Sequence, residues 1–340
     1  MQRLILDGPG ALHWDDAPEP VAVGQGAVVR PLAVATCDLD VGVLQGRFPL
    51  AGPYPFGHEG VAEVVSVGDD VRSVAVGDRV VVPFQMSCGA CVPCRRGRTG
   101  NCAGHPPLST FGLGTMGGLG WGGLLADLAL VPHADAMLVR LPGGVDPVAV
   151  ASASDNIPDA FRAVGPQLAA EPGAEVLIVA GLGGPSSIGL YAAGLAVALG
   201  ASRVVYVDDN VRRLEIATAL AAEAIEDPTR RKVGAFPITV HAGGTEQHLR
   251  CALNSTAFDG VCTSVSVLID DPKLPMFQMY SRCCTLHTGR AHVRPHIPMV
   301  LELVASGRFD PTLVTSNVVD WSDAVEALAT PPMKLVVSRQ

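Results

Sequence analysis

Residues 88–102 hold Cys88, Cys91, Cys94 and Cys102 at the spacing C-x2-C-x2-C-x7-C. Two-residue gaps let neighbouring thiolates point at one centre, and Gly97 and Gly100 supply bends that bring Cys102 round to close a tetrahedron. Zinc takes four thiolates in that shape, and a site with no open position is structural. An iron–sulfur cluster is the other metal reading. A pair of disulfides is weaker, because residues 1–8 reach an acid, Asp7, too early for a secretory signal. Two further candidates precede this cluster. Cys37 closes one strand-like run and His58 opens another, in Gly57-His58-Glu59-Gly60. Each alone is more often a small buried hydrophobe or a hydrogen-bonded histidine. Together, ahead of a zinc-type cluster, they fit two ligands of a catalytic metal, which keeps three protein ligands and one open position. Asp40 is placed to accept the other ring N–H of His58 and fix its tautomer. Glu59 is then a carboxylate just outside the ligands, or a solvated or salt-bridged one.

A second kind of chemistry is written in residues 176–208. Val176-Leu177-Ile178-Val179-Ala180 is an apolar strand of the parallel-sheet type, followed by Gly181-Leu182-Gly183-Gly184-Pro185-Ser186. A helix over 190–199 and a strand over 203–208 complete a βαβ unit. Glycines let the backbone approach a pyrophosphate, and the helix N-terminus offers N–H groups and a positive dipole. Asp208 ends the second strand, where a carboxylate accepts from a ribose 2′-OH and repels a 2′-phosphate; this favours NAD over NADP. The cofactor-binding candidates are Gly181, Gly183, Gly184, Ser187, Ile188, Asp208, Arg213 and Val265. The motif departs from G-x-G-x-x-G, with Ser186 at the third glycine and Pro185 before it.

These groups need two supports. Residues 1–85 show short strands at 27–36 and 60–68 and, over 76–83, a turn feeding a third, the pattern of a barrel-like or sandwich module. Seven glycines between Phe111 and Gly123 make a loop, and 122–132 returns to strand. A helix is expected over 149–164, interrupted by Pro158. Later strands are expected at 236–242, 260–267, 285–290 and 335–337, with a helix over 298–307. The chain therefore divides into a β-rich domain, 1–148 and 291–340, and a doubly wound parallel-sheet domain, 149–290. At 340 residues two domains are the natural prior. A net charge of −9 and a pI near 5.4 give no sign of a nucleic-acid or anionic-membrane partner. The uncharged run 176–202 is broken by its glycine turn, so neither flank spans a bilayer. A cytoplasmic protein is expected. Cys251, Cys262, Cys283 and Cys284 read as buried free thiols.

The two cysteine sets, Gly57-His58-Glu59 and the nucleotide-binding half together resemble the zinc-dependent medium-chain alcohol dehydrogenase family, over essentially the whole chain. That resemblance implies a GroES-like catalytic domain, a Rossmann domain, an active-site zinc in the cleft between them, a second, structural zinc, and dimers or tetramers. Cys37 and His58 match the first two catalytic ligands. Asp155, in Ser154-Asp155-Asn156-Ile157-Pro158-Asp159, takes the third place and is similar to the aspartate of formaldehyde dehydrogenases; Asp159 is its competitor. Phe84 matches a substrate-pocket position and Lys334 a basic position near the cofactor. The family usually carries Thr or Ser where this chain has Leu39, so the hydroxyl that relays the alcohol proton is missing and the pocket is more apolar. The implied reaction is hydride transfer between an alcohol and NAD, with an alcohol, aldehyde or ketone as partner. Formaldehyde, polyol and threonine dehydrogenases are alternatives, and so is a zinc-stabilised NAD-binding protein with little catalysis.

Overall fold

The structure, a computed structural model, describes residues 1–227 and 231–339. It forms two compact units: Met1–Pro158 with Ala291–Ser306 and the stretch from Thr315 onward, and Asp159–Arg290 with Gly307–Val314. The division falls ten residues later than the sequence pattern placed it, in the first turn of helix Asn156–Ala170.

The first unit is built on antiparallel strands. Ala27–Ala35 and Glu59–Val67 pair along their lengths, and Arg79–Val82 and Val139–Arg140 extend the sheet on one side. Leu335–Ser338 and Asn317–Asp320 extend it on the other. A smaller sheet joins Gln2–Gly8, Ala11–Asp16 and Tyr54–Pro55. Alternation puts Val29, Val64, Val80, Val82 and Val337 into one apolar core with Leu4, Leu6 and Phe56. Burial of such side chains stabilises by about 1.5–3 kcal/mol each. The opening hairpin has no counterpart in the sequence reading. The strand expected over 122–132 is only Ala129–Val131.

The second unit carries a six-stranded sheet, parallel throughout. Its order is Glu223–Glu226, Val204–Asp208, Val176–Ala180, Phe236–Ala242, Thr256–Ser264 and Thr285–His287. The order reverses beside Val176–Ala180, and ligands of such sheets bind outside the carboxyl ends of the strands at that point. Val176–Ala180 is buried at every residue, because the strand is covered on both faces. The helix after the glycine turn starts at Ser186, four residues earlier than expected. No helix among the described residues is long and apolar enough to cross a membrane.

The segment around Asp155 differs from its expectation. In place of one helix over 149–164 there is a short turn, Ala151–Ser154, and then helix Asn156–Ala170. Asp155 sits between them with φ −150° and ψ −78°, outside regular helix. Pro158 interrupts nothing: it lies in the first turn, where N–H groups have no intrahelical acceptor.

Candidate functional site

Cys37 stands at the N-terminus of helix Asp38–Leu44. Its Sγ accepts from the Leu39 N–H at 3.4 Å, and its own N–H donates to Asp40 Oδ2 at 3.0 Å. A helix N-terminus favours a thiolate. His58 lies just before strand Glu59–Val67, whose pairing with Ala27–Ala35 carries it towards Cys37. Asp155 is brought in by Ser154, whose Oγ accepts from the Gly60 N–H at 2.7 Å and whose carbonyl accepts from the Phe84 N–H at 3.3 Å. One ligand atom from each of Cys37, His58 and Asp155 lies within 4.8 Å of the others. Asp159 is not among them and pairs with Arg162 at 2.5 Å.

The electrostatics of this group fit a cation. Burial first, and then the Asp155 charge, push the Cys37 thiol up. Burial works against a charged His58, yet the neighbouring carboxylates of Asp40 and Asp155 raise it well above an ordinary imidazole. His58 is 0% exposed, and neither ring nitrogen makes a hydrogen bond. Nε2 lies 3.4 Å from Asp155 Oδ2, and Nδ1 lies 3.4 Å from Asp40 Oδ1. Cys37, His58 and Asp155 would hold a divalent ion, which would satisfy a His58 nitrogen and compensate two buried anionic groups, with Asp40 beside Nδ1. Thiolate, imidazole and carboxylate form a donor set for zinc with an open position.

Glu59 and Lys334 sit behind this group, both 0% exposed. Burial pushes the Glu59 carboxyl up, and the Lys334 ammonium beside it pulls it back down. The Lys334 ammonium donates to Thr36 O at 2.6 Å, Glu59 Oε2 at 2.7 Å and Asn156 Oδ1 at 2.8 Å. All three of its N–H donors are thereby engaged inside the first unit. The contacts of Lys334 with Thr36, Glu59 and Asn156 thus tie it to the residues behind Cys37, His58 and Asp155. Its signal in sequence was the match to a basic position of the family. Asn156 gave no signal beyond its place beside Asp155.

Leu39 and Phe84 do come together. The Phe84 ring centroid is 5.6 Å from that of His58, and both residues join Leu113, Met116, Ala291 and Val293 in an apolar cluster. Leu113 and Met116 come from the glycine-rich loop, which reads as flexible in sequence but here makes the turn Gly114–Met116. The four-cysteine lobe is also assembled. Cys88, Cys91, Cys94 and Cys102 each offer a sulfur within 4.8 Å of the rest, and none forms a disulfide. N–H groups of Cys88 and Gly104 donate to Cys102 Sγ, and that of Ala103 to Cys91 Sγ. Four converging sulfurs with N–H support fit a closed zinc site.

In the second unit, Gly183 takes φ +77° within the turn, and a Cβ on Gly181 would lie 2.5 Å from the His248 ring. Ser187 and Ile188 are buried in the first turn of helix Ser186–Ala198. Asp208 ends its strand fully buried. Its oxygens accept from Tyr206 Oη, the Arg213 guanidinium and the N–H groups of Asp209 and Asn210. Burial alone would raise its carboxyl, but Arg213 holds it below the ordinary range. Asp209, not singled out in sequence, accepts from the Leu182 N–H in the turn at 3.0 Å and pairs with Arg213 at 3.0 Å. Arg213 also reaches Ser186 Oγ at 3.3 Å. Val265 donates its N–H to His241 O at 2.9 Å, at the ends of adjacent strands.

The comparisons with known proteins agree with this geometry. Residues 24–143 match the model of the alcohol dehydrogenase GroES-like domain. A probable zinc-binding alcohol dehydrogenase of Mycobacterium tuberculosis is 30% identical over 339 residues, covering 97% of this chain and 85% of that protein. The chain belongs to the zinc-dependent medium-chain alcohol dehydrogenase family. A second relative, the glutathione-independent formaldehyde dehydrogenase of Pseudomonas aeruginosa, is 31% identical over 225 residues, 62% of this chain and 55% of that one. Among solved structures, the alcohol dehydrogenase TADH from Thermus sp. ATN1 superposes with a TM-score of 0.87 at 26% identity, covering 100% of both chains. This member of the family is an oxidoreductase with a GroES-like unit and a Rossmann unit.

Proposed function

We propose that the chain interconverts a primary or secondary alcohol and its aldehyde or ketone, dependent on NAD and on zinc, with one catalytic and one structural ion per chain. The observation that carries this reading is the convergence of Cys37, His58 and Asp155 around a buried histidine that lacks hydrogen-bond partners. Zinc bound there supplies a Lewis acid that polarises the substrate oxygen and lowers its pKa. Asp40, with Oδ1 3.4 Å from His58 Nδ1, is placed to orient the ring. Leu39, Phe84, Leu113, Met116 and Val293 exclude water and favour an alcohol with an apolar substituent over a polyol or threonine. Leu39 carries no proton, so the alcohol proton reaches solvent without a hydroxyl at that position. Asp208 and Asp209 support NAD over NADP: Asp208 ends the strand after the glycine turn, Asp209 accepts from the Leu182 N–H in that turn, and Arg213 is paired with both carboxylates.

Asp155 as third ligand favours one second reading, oxidation of formaldehyde or another small aldehyde. The test is metal content and NAD reduction on one purified sample, across short alcohols, apolar alcohols, polyols and formaldehyde with and without added thiol. Two zinc ions with turnover of apolar alcohols support the main reading. Preferred turnover of formaldehyde selects the second. One zinc ion and no turnover overturns both, in favour of a nucleotide-binding protein.

Self-association as a homodimer or homotetramer belongs to the same proposal. It is supported by exposed Phe258, Met276, Phe277 and Tyr280 near strand Thr285–His287, which ends the parallel sheet.

A further inference from the structure

The carboxamide of Asn156 touches both anionic candidate ligands. Its Nδ2 donates to Cys37 Sγ at 3.3 Å and to Asp155 Oδ2 at 3.2 Å. The orientation of this amide is forced by chemistry. Lys334 can only donate, and its Nζ lies 2.8 Å from Asn156 Oδ1. Turning the amide over would set an oxygen against a thiolate and a carboxylate, and an NH2 against an ammonium. The Asn156 backbone N–H donates to Glu59 Oε1 at 3.2 Å, and Glu59 Oε2 accepts from the same lysine at 2.7 Å. Asn156, Glu59 and Lys334 thus close a ring of hydrogen bonds, and all three are fully buried.

We propose that Asn156 is a positioning residue for the metal centre, fixing Cys37 and Asp155 relative to each other and drawing electron density from both. A carboxamide that donates to a ligand sulfur and a ligand oxygen makes each a weaker electron donor, so the ion they hold is more electron-poor than its ligand types alone would leave it. The ammonium on Oδ1 polarises the amide and strengthens both donations. The inference rests on the zinc reading of Cys37, His58 and Asp155.

The test loads the full-length protein with cobalt(II) in place of zinc and records the sulfur-to-cobalt charge-transfer band, together with the rate at which a chelator strips the three-ligand centre. The four-cysteine lobe contributes the same bands to every variant and cancels in difference spectra. Asn156→Leu removes the amide. Asn156→Asp keeps an acceptor for Lys334 but no N–H for the ligands. Both are expected to move the Cys37 band to lower energy and to release metal roughly ten- to a hundredfold faster. If Asn156 merely satisfied Lys334, the aspartate variant would match the wild type, and that result overturns the proposal. So does an unchanged band in any folded variant lacking the amide; Asn156→Ser serves if the other two do not fold. If wild-type protein takes up no cobalt at the three-ligand centre, the zinc reading itself fails, which separates the two outcomes.

Discussion

A buried carboxylate beside a metal centre must be neutralised by something that does not compete for the metal, and Lys334 does this for Glu59 at 2.7 Å. Replacing it with methionine leaves Glu59 buried and uncompensated. Lys334→Met is expected to cost about 3–5 kcal/mol in denaturant midpoints, and the double variant with Glu59→Gln to recover most of it. Asp155→Ala should lose the catalytic metal equivalent and lower turnover roughly a hundredfold or more, while Asp155→Cys should retain the metal. Metal content measured alongside turnover checks both. Sequence made Cys37, His58 and Asp155 legible because ligand types are few and sit at recognisable breaks in pattern. Asn156 and Lys334 were not legible in these roles. Their partners lie 119 and 275 residues away, and nothing local to either distinguishes it from an ordinary polar residue.

Elements were legible where one physical signal dominated. The strand Phe236–Ala242 was read with its observed ends, because the β-branched run Ile238-Thr239-Val240 lies between glycine breaks at Gly234 and Gly243. Pro158 misled, because a proline three residues into a helix looks in sequence like one that interrupts it. The opening hairpin was missed, because Gln2–Gly8 mixes charges with its apolar positions. At this scale the four-cysteine lobe should behave as a metal-held fold. Cys88→Ser is expected to leave one zinc equivalent per chain and to lower stability by more than about 3 kcal/mol, read by chelator-dependent melting. The parallel sheet should show an acid limit of its own. His241, fully buried with Nδ1 2.8 Å from Ser264 Oγ, is pushed down to about 3, by burial first and then by the charge of His248. The unfolded chain regains an ordinary imidazole, so between those values it binds the extra proton. The contribution is therefore intact above about pH 6.5 and is lost as pH falls towards 3, with a slope of at most about 1.4 kcal/mol per pH unit. His241→Gln should flatten the urea-midpoint profile between about pH 6 and 4.

Over the whole molecule, the two units divide the candidate groups: one gathers Cys37, His58, Asp155 and the cysteine lobe, the other carries the glycine turn. The proposed self-association predicts that the double variant Phe277→Glu with Tyr280→Glu lowers the sedimentation coefficient to that of a single chain and leaves both metal equivalents in place. The closing lysine has a consequence in time. Glu59 leaves the ribosome 275 residues before Lys334 does, roughly 15 to 55 s at ordinary elongation rates. Over the last 179 residues of that interval the nascent polypeptide holds Cys37, His58 and Asp155 but lacks the cation that lets Glu59 go inside. Loading of the catalytic ion is thus expected to follow synthesis of the last strand, while the cysteine lobe, complete by residue 102, can take its own during translation.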